Sequence, residues 1–263
     1  MPELPEVETT VRSIAPYITG HAILHAKVFS HRVTRANFAV TTKALIGATI
    51  QTVRRRGKQI FVELDRGVLY IHLGMTGKLL WNGTRTKYAR AVFDLDNGTL
   101  IFDDVRQFGR VEYFREIPDF LARTGPDALT VTASEFLARL KRHRGHIKPL
   151  LLNQAFIGGV GNIYADESLF ASGIHPRARA HRLTKRRAEN LHSHIVAILK
   201  AAIQNHGSSI SNYVDADGAS GNYQQHHNVY GRTGEPCPAC GTAITRIVLG
   251  QRGTHHCSRC QRS

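Results

Sequence analysis

All four cysteines of the chain lie in its last 27 residues, as two Cys-x2-Cys pairs. Cys237 and Cys240 form the first pair, and Cys257 and Cys260 follow after sixteen intervening residues. Two such turns can present four thiolates to one tetrahedral zinc ion. Two disulfides are the alternative, but the N-terminus lacks the pattern of a secretory signal. We therefore expect one structural Zn²⁺, because four sulfur ligands leave no open position for a substrate.

The first three residues, Met1-Pro2-Glu3, offer a second kind of chemistry. Removal of Met1 would leave Pro2 with a free secondary amine, which is a nucleophile toward an aldehyde or a sugar carbon. Glu3 can move protons beside that amine. The same residues also fit an ordinary helix start, where an acidic side chain favours the helix dipole. On these residues alone, the helix start is the simpler interpretation.

The chain is strongly basic, with 35 Lys+Arg against 20 Asp+Glu and a net charge of +15. Both halves carry the excess, and dense basic runs occur at residues 54–58 and 142–148. Such a distribution favours a nucleic-acid partner, because affinity for a polyanion depends on cations that displace its counterions. A generally basic protein and a membrane-surface binder are the alternatives. The composition excludes disorder as the default, and no apolar run is long enough to span a membrane, so we expect a cytoplasmic protein.

Two kinds of hydrophobic pattern along the chain predict the elements that position these residues. An apolar helical face from Pro5 to Ile18 predicts one opening helix, and short alternating runs separated by turn residues predict an antiparallel sandwich or barrel. The predicted strands are 23–29, 49–53, 59–64, 68–73, 91–95, 99–102 and 111–114. After a linker near 117–131, helices dominate: one follows a capping box at Thr132, and others are predicted at 147–154, at 163–171 and around an apolar stripe from Ala188 to Ala202. A polar segment, 208–225, is expected to be a mobile loop.

The predicted fold class is therefore α+β. An opening helix and an antiparallel β-sandwich form the first domain, a helical domain follows, and a zinc-ribbon hairpin ends the chain. We place the domains at residues 1–120, 132–225 and 226–263.

Six further motifs, together with the cysteine ribbon, resemble bacterial formamidopyrimidine-DNA glycosylase across essentially the whole chain. They are residues 1–9 (MPELPEVET), 56–58 (RGK), 72–75 (HLGM), 106–109 (RQFG), 159–164 (GVGNIY) and 173–176 (GIHP). In the family, the element around the GVGNIY motif is a helix–two-turn–helix. Any one motif can occur by chance, but their shared order and spacing identify the chain as similar to this family.

The resemblance implies a bifunctional DNA glycosylase and abasic-site lyase of base excision repair. Its substrates would be oxidised purines in double-stranded DNA, above all 8-oxoguanine opposite cytosine, and formamidopyrimidines. The Pro2 amine would attack C1′ of the damaged nucleotide and form a Schiff base, Glu3 would assist ring opening, and β,δ-elimination would cut the strand. Lys58 would stabilise charge near the lesion phosphate. We expect a monomer, because two domains of one chain can build one site.

The resemblance also implies a set of DNA contacts. Met75, Arg106 and Phe108 would fill the gap left by the everted nucleotide, with adaptable, hydrogen-bonding and wedge-like side chains respectively. Core packing is the alternative for Met75 and Phe108. The other expected DNA contacts are His72, Lys148, Asn162, Tyr230 and Arg252. For Asn162 a simple helix N-cap is the alternative, and for Arg252 it is a solvated surface side chain.

Two other functions remain as alternatives. Endonuclease VIII shares the fold and the Pro-Glu start but favours oxidised pyrimidines, whereas Leu4-Pro5-Glu6 and the intact Met75, Arg106 and Phe108 set resemble the purine enzyme. A non-catalytic zinc-ribbon DNA-binding protein is the second alternative. The chain also departs from many relatives, since it has Gln107 between Arg106 and Phe108, and residues 88–90 (YAR) after Lys87.

Overall fold

The computed structural model describes residues 1–35, 38–210 and 213–262 of the 263-residue chain. These residues divide into two compact units. The first unit comprises Met1–Arg123 and Ile203–Gln224, and the second comprises Thr124–Ala202 and Gln225–Ser263. The predicted α+β class is confirmed. The domain limits given above stay a prediction.

The first unit opens with helix α1, Leu4–Ile18, as the apolar periodicity predicts. Its buried stripe includes Val7, Val11, Ile14 and Ile18. The helix ends at Ile18, because Thr19 is already extended with a φ of −69° and a ψ of 131°. Gly20 follows with a φ of 87°, a left-handed conformation that glycine adopts without strain.

Eight strands and two further helices complete the first unit. They are β1 (Ile23–Val28), α2 (Phe38–Leu45), β2 (Ile50–Arg56), β3 (Gln59–Leu64), β4 (Val68–His72), β5 (Lys78–Trp81), β6 (Ala89–Leu95), β7 (Gly98–Asp103), β8 (Arg110–Phe114) and α3 (Asp119–Ala122). The strands form two antiparallel sheets, ordered β1-β6-β7-β5 and β2-β3-β4-β8. One apolar core draws residues from α1 and from both sheets, which confirms the predicted sandwich.

The seven predicted strands are confirmed, with ends that differ by at most a few residues. The sequence analysis missed β5, α2 and α3. Strand β5 has the sequence KLLW, which neither alternates nor contains a β-branched residue. Helix α2 contains Thr41 and Thr42, whose branched side chains lower helix propensity. Tertiary packing, rather than local preference, selects these elements.

The described residues of the second unit form four α-helices, the last of which extends two residues into the first unit, and a β-hairpin. They are α4 (Ala133–Lys141), α5 (Ile147–Leu152), α6 (Asn162–Ala171), α7 (Lys185–Gln204), β9 (Thr245–Leu249) and β10 (Arg252–His256). The Thr132 hydroxyl accepts from the Glu135 N–H at 3.2 Å, so the predicted cap starts α4. The four predicted helices are confirmed. No helix in the described part of the chain has both the length and the apolar character needed to cross a bilayer.

Candidate functional site

Pro2 and Glu3 are buried at the start of α1. The Glu3 side chain accepts from the Glu6 N–H, and Glu6 Oε2 accepts from the Glu3 N–H at 2.7 Å. This reciprocal capping box fixes the backbone that carries Pro2. Glu3 is therefore a helix cap in this structure, and a proton-transfer role would use the same carboxylate.

Glu6 also binds the segment that follows α7. Its Oε1 accepts from the Ser208 N–H at 2.8 Å, and its backbone oxygen accepts from the Tyr213 hydroxyl at 3.0 Å. Burial and the nearby Glu6 charge raise the pKa of Tyr213, which keeps that hydroxyl protonated as a donor. Gly207 lies against this carboxylate with a φ of 79°, and a Cβ there would stand 2.8 Å from Glu6 Oε1. The sequence analysis missed Glu6, although the Glu-x-x-Glu spacing at a helix start was a signal for it.

Many residues of the segment predicted as a mobile loop, 208–225, form hydrogen bonds. Besides the bonds to Glu6, the Asp215 carboxylate accepts from the N–H groups of Asp217 and Ala219. Residues 211 and 212 of this segment lie outside the described residues. The mobility of this segment stays a prediction.

Lys58 lies in the turn between β2 and β3, and His72 lies on β4, the strand that pairs with β3. Lys58 is buried, and the other residue of its turn, Gly57, has a φ of 59°. His72 ends β4, and its Nδ1 accepts from the Gly74 N–H at 3.1 Å. Burial, with added repulsion from the charges of Lys58 and Arg110, lowers the pKa of His72 to about 4. The ring is therefore neutral at pH 7, and its Nε2–H is a hydrogen-bond donor.

The basic run at residues 54–58 is partly engaged within the protein. Arg54 Nε lies 2.5 Å from Glu63 Oε1, and Arg55 Nε lies 2.8 Å from Glu8 Oε2. Burial of Glu8 acts to raise its pKa, but hydrogen bonds from Arg55 and Arg12 outweigh burial and lower it. Arg55 therefore attaches β2 to α1, and the run is less available to DNA than its density predicts.

Met75, Arg106 and Phe108 lie on two adjacent loops, after β4 and after β7. Met75 is 38% exposed and Phe108 is 52% exposed, so neither is packed in the core. The Arg106 guanidinium lies over the Phe108 ring at 4.6 Å from its centroid. A wedge, a flexible apolar chain and a five-donor cation thus project together from the first unit, a set able to enter a base stack and pair with an unpartnered base.

Asp104 organises these two loops and was missed by the sequence analysis. Its carboxylate is fully buried, accepting from the Thr76 hydroxyl at 2.5 Å and from the Gly109 N–H at 2.8 Å. Thr76 in turn accepts from the Arg106 N–H at 3.0 Å. The residue between Arg106 and Phe108, Gln107, has a φ of 56° and accepts from the Ser30 hydroxyl at 2.5 Å. The Arg106 and Phe108 backbones are thus fixed on both sides.

In the second unit, Asn162 is hydrogen-bonded to the hairpin that carries Arg252. Gly161 is the N-cap of α6, so Asn162 is the first helical residue and not the cap. Its Nδ2 donates to the Gly253 carbonyl at 3.0 Å. Arg252 is exposed and begins β10 directly after a two-residue turn, Gly250-Gln251, in which both φ angles are left-handed. This is the turn geometry that a tight β-hairpin requires.

Lys148 does not reach the surface. Its ammonium lies 2.6 Å from Asp166 Oδ1, and both side chains are fully buried. It also donates to the Gly253 carbonyl and to the Thr254 hydroxyl, while Asp166 Oδ2 accepts from the His255 N–H. These bonds attach α5 and α6 to β10. The DNA contact expected for Lys148 stays a prediction, and its burial favours an indirect role through the hairpin.

Tyr230 is held by a second buried carboxylate. Glu167 accepts from the backbone N–H groups of Asn228, Val229 and Tyr230 at 2.8–2.9 Å. The Tyr230 ring, partly exposed, lies edge-on to His255 with centroids 5.1 Å apart. Its position is therefore fixed next to the hairpin that carries Arg252.

The four cysteines come together as their spacing predicts. Their Sγ atoms all lie within 4.8 Å of one another, and each Cys-x2-Cys turn supplies two of them. Such a set fits a tetrahedral zinc ion closed by sulfur, and it would fix the base of the β9–β10 hairpin. The fit supports the predicted structural Zn²⁺.

Three family models match the chain. They are described as the formamidopyrimidine-DNA glycosylase N-terminal domain (residues 1–111), the formamidopyrimidine-DNA glycosylase H2TH domain (residues 124–214) and a zinc finger found in FPG and IleRS (residues 234–262). Together they cover most of the chain.

Individual relatives agree over their whole length. The formamidopyrimidine-DNA glycosylase of Solibacter usitatus is 50% identical, and the match covers 100% of both chains. A Lactococcus lactis FPG mutant bound to a Fapy-dG containing DNA is 37% identical with a TM-score of 0.93, covering 100% of both chains. The L. lactis Fpg in complex with an abasic site containing DNA is 37% identical with a TM-score of 0.92, covering 99% of this chain and 100% of that one.

Proposed function

Because the chain belongs to the formamidopyrimidine-DNA glycosylase family, whose members are DNA glycosylases and abasic-site lyases of base excision repair, we propose how its residues perform that activity. The substrates are oxidised purines in duplex DNA, 8-oxoguanine opposite cytosine and formamidopyrimidines, and also abasic sites. The enzyme acts as a monomer in the cytoplasm.

Pro2 is the nucleophile once Met1 has been removed. Its amine lone pair attacks C1′, the bond to the damaged base breaks with its electrons leaving on the base, and the proton that the attached amine loses goes to the base. Glu3, in its carboxylic acid form, then gives its proton to the ring oxygen, and the amine lone pair opens the sugar to leave an iminium ion between Pro2 and C1′. Loss of a C2′ proton then expels the 3′ phosphate, and a second elimination expels the 5′ phosphate.

The observation that carries this proposal is the capping box between Glu3 and Glu6. Catalysis by positioned groups requires the nucleophile and the acid to be held in one geometry. The box holds Glu3 directly beside Pro2, and Glu6 extends the same network to Ser208 and Tyr213. Lys58 and the neutral His72 supply a cation and an N–H donor for the lesion's phosphate or sugar.

We assign the remaining DNA contacts to side chains that reach the protein surface. Met75, Arg106 and Phe108 fill the space of the everted nucleotide, which costs a few kcal/mol to unstack. Asn162, Tyr230 and Arg252 contact the phosphate backbone from the second unit. Lys148 acts on the same contacts by holding the Gly253 and Thr254 backbone.

Borohydride trapping tests the chemistry. The protein is incubated with a duplex carrying 8-oxoguanine opposite cytosine, and a thymine-glycol duplex and a Pro2→Gly variant are run in parallel. We expect a covalent adduct on the first duplex that is lost in the variant, while the variant still binds the duplex in a gel-shift assay. Undiminished trapping by Pro2→Gly, or retention of Met1 in the active protein by mass spectrometry, contradicts the role of the amine. Preference for thymine glycol indicates a pyrimidine enzyme instead.

A further inference from the structure

The segment from residue 136 to residue 188 has an extreme charge imbalance. It contains eleven Lys+Arg and only two acidic residues, Asp166 and Glu167. Both acidic side chains are buried, at 0% and 1% exposure. The segment itself therefore offers no carboxylate at its surface. The glutamates just outside it, Glu135 and Glu189, lie 3.8 Å from Arg139 and 3.9 Å from Lys185 and, within the described chain, pair with those two cations only.

Five of these cations form one surface, which we call the arginine patch: Arg142, Arg144, Arg177, Arg179 and Arg182, all exposed. Arg177 and Arg179 alternate with the buried Ala178 and Ala180. In an extended chain, alternate residues point to the same side, so the small apolar residues face the core and the arginines face solvent.

Backbone hydrogen bonds bring the two halves of the patch together. His146 and Arg179 form an antiparallel bridge, the Ala180 N–H donates to the Gly145 carbonyl at 3.0 Å, and the His181 N–H donates to the His143 carbonyl at 3.1 Å. His146 Nδ1 also donates to the Arg177 carbonyl at 2.6 Å. Residues far apart in sequence are thus fixed as neighbours on one ladder.

In the part of the chain that the structure describes, the side chains of the arginine patch have no acidic partners. Among the described residues, none of the five forms an ion pair with a carboxylate, and Arg179 instead donates to the Arg144 carbonyl at 3.3 Å. Holding five like charges together on a fixed backbone is unfavourable unless an anion binds. The geometry is that of a site for a polyanion.

The apolar surface distinguishes between kinds of polyanion. None of the large hydrophobic residues found exposed in the described chain lies between residues 136 and 188. Membrane-surface binding uses apolar side chains that enter the lipid beside the cations, whereas a phosphodiester backbone requires only the cations. The patch therefore favours nucleic acid.

We propose that the arginine patch binds the phosphate backbone of duplex DNA outside the lesion, independently of sequence and damage. It would hold the enzyme on undamaged DNA and extend its contacts along the flank of a lesion. The inference takes from the proposed function only that duplex DNA is the polyanion.

The test compares two variants with equal loss of charge. Arg177, Arg179 and Arg182 are changed to Gln in the patch variant, and the exposed Lys27, Lys43 and Lys200 are changed to Gln in the control. Affinity for undamaged duplexes of about one and about three helical turns is measured by fluorescence anisotropy over a range of salt. A double variant, Arg177→Gln with Arg182→Gln, spares the Arg179 hydrogen bond and guards against misfolding.

On the longer duplex we expect the patch variant to bind about 10- to 100-fold more weakly than the control, with a salt slope reduced by up to about 2.7. On the shorter duplex the difference should shrink. Equal affinities and slopes in the two variants would overturn the proposal, as would binding of the patch to anionic vesicles and not to DNA. Borohydride trapping on a short lesion duplex at low salt should be unchanged in the patch variant, so failure of the glycosylase assignment is seen separately.

Discussion

Two fully buried aspartates, one in each unit, stabilise the loops that carry proposed DNA contacts, but their carboxylates are stabilised by different partners. In the first unit, Asp104 accepts hydrogen bonds from the Thr76 hydroxyl and the Gly109 N–H. In the second unit, Asp166 forms an ion pair with Lys148 as well as accepting from the His255 N–H. The first arrangement uses only neutral donors, whereas the second commits a cation.

In each unit, buried residues hold the backbone in place and a different, exposed arginine is left to contact DNA. In the first unit, Arg106 stays at the surface, and its loop is fixed by hydrogen bonds among Asp104, Thr76 and backbone N–H groups that use no cation. In the second unit, a buried lysine holds the hairpin backbone while Arg252 stays exposed. In a buried ion pair each charge depends on the other, because loss of one partner leaves an uncompensated charge in the interior. Hydrogen bonds from neutral donors do not leave such a charge behind when the carboxylate is lost.

The largest expected effect comes from breaking the ion pair. Asp166→Asn keeps an acceptor for the His255 N–H but leaves the Lys148 charge uncompensated, so we expect a loss of about 3–5 kcal/mol in the free energy of unfolding. Urea denaturation measures it. Adding Lys148→Met to this variant should restore most of the lost free energy of unfolding, because no buried charge then remains. The control, Glu189→Gln, removes an exposed partner 3.9 Å from Lys185 and should cost less than about 1 kcal/mol. A double variant as unstable as Asp166→Asn would contradict the charge argument.

A smaller effect is expected from the corresponding change in the first unit. Asp104→Asn leaves no buried cation behind and loses one of two hydrogen bonds, so the expected cost is about 1–3 kcal/mol. The same variant should lower the rate of base excision, because the loop holding Arg106 and Phe108 loosens, and this is measured under single-turnover conditions. If Asp104→Asn destabilises the protein as much as Asp166→Asn, the contrast between the two units is wrong.

The smallest effect tests a third buried carboxylate, Glu6. Gly207→Ala places a methyl 2.8 Å from Glu6 Oε1, whereas Gly218→Ala, with a similar φ of 82°, meets no atom within 4 Å. Both carry the strain of a left-handed alanine, so their difference isolates the contact with Glu6. We expect Gly207→Ala to lower the free energy of unfolding by about 1 kcal/mol more than Gly218→Ala does. We also expect it to form the borohydride-trapped adduct with DNA more slowly. If the two variants do not differ in thermal unfolding or in trapping, the Glu6 side chain moves away from the added methyl at no measurable cost.

The sequence predicted those features whose information is local. Turn residues around Gly67 and Gly98 place the strand ends, the Thr132 box starts α4, and the Cys-x2-Cys spacing assembles the metal site. The supports were not predictable in this way. Asp104 binds Thr76, 28 residues away, and Glu6 binds Ser208, 202 residues away. The tertiary fold determines these distant partners, and nothing in the residues that flank Asp104 or Glu6 reveals them.

The left-handed turn at Gly250-Gln251 has a consequence for how the hairpin meets DNA. The turn, the thiolate cluster and the Lys148 bonds to Gly253 and Thr254 set the path of β10 before any ligand arrives. The conformational entropy of ordering that backbone is lost on folding and not on association. Each contact made by Arg252 therefore contributes more of its interaction energy to affinity than the same arginine on an unstructured tail would.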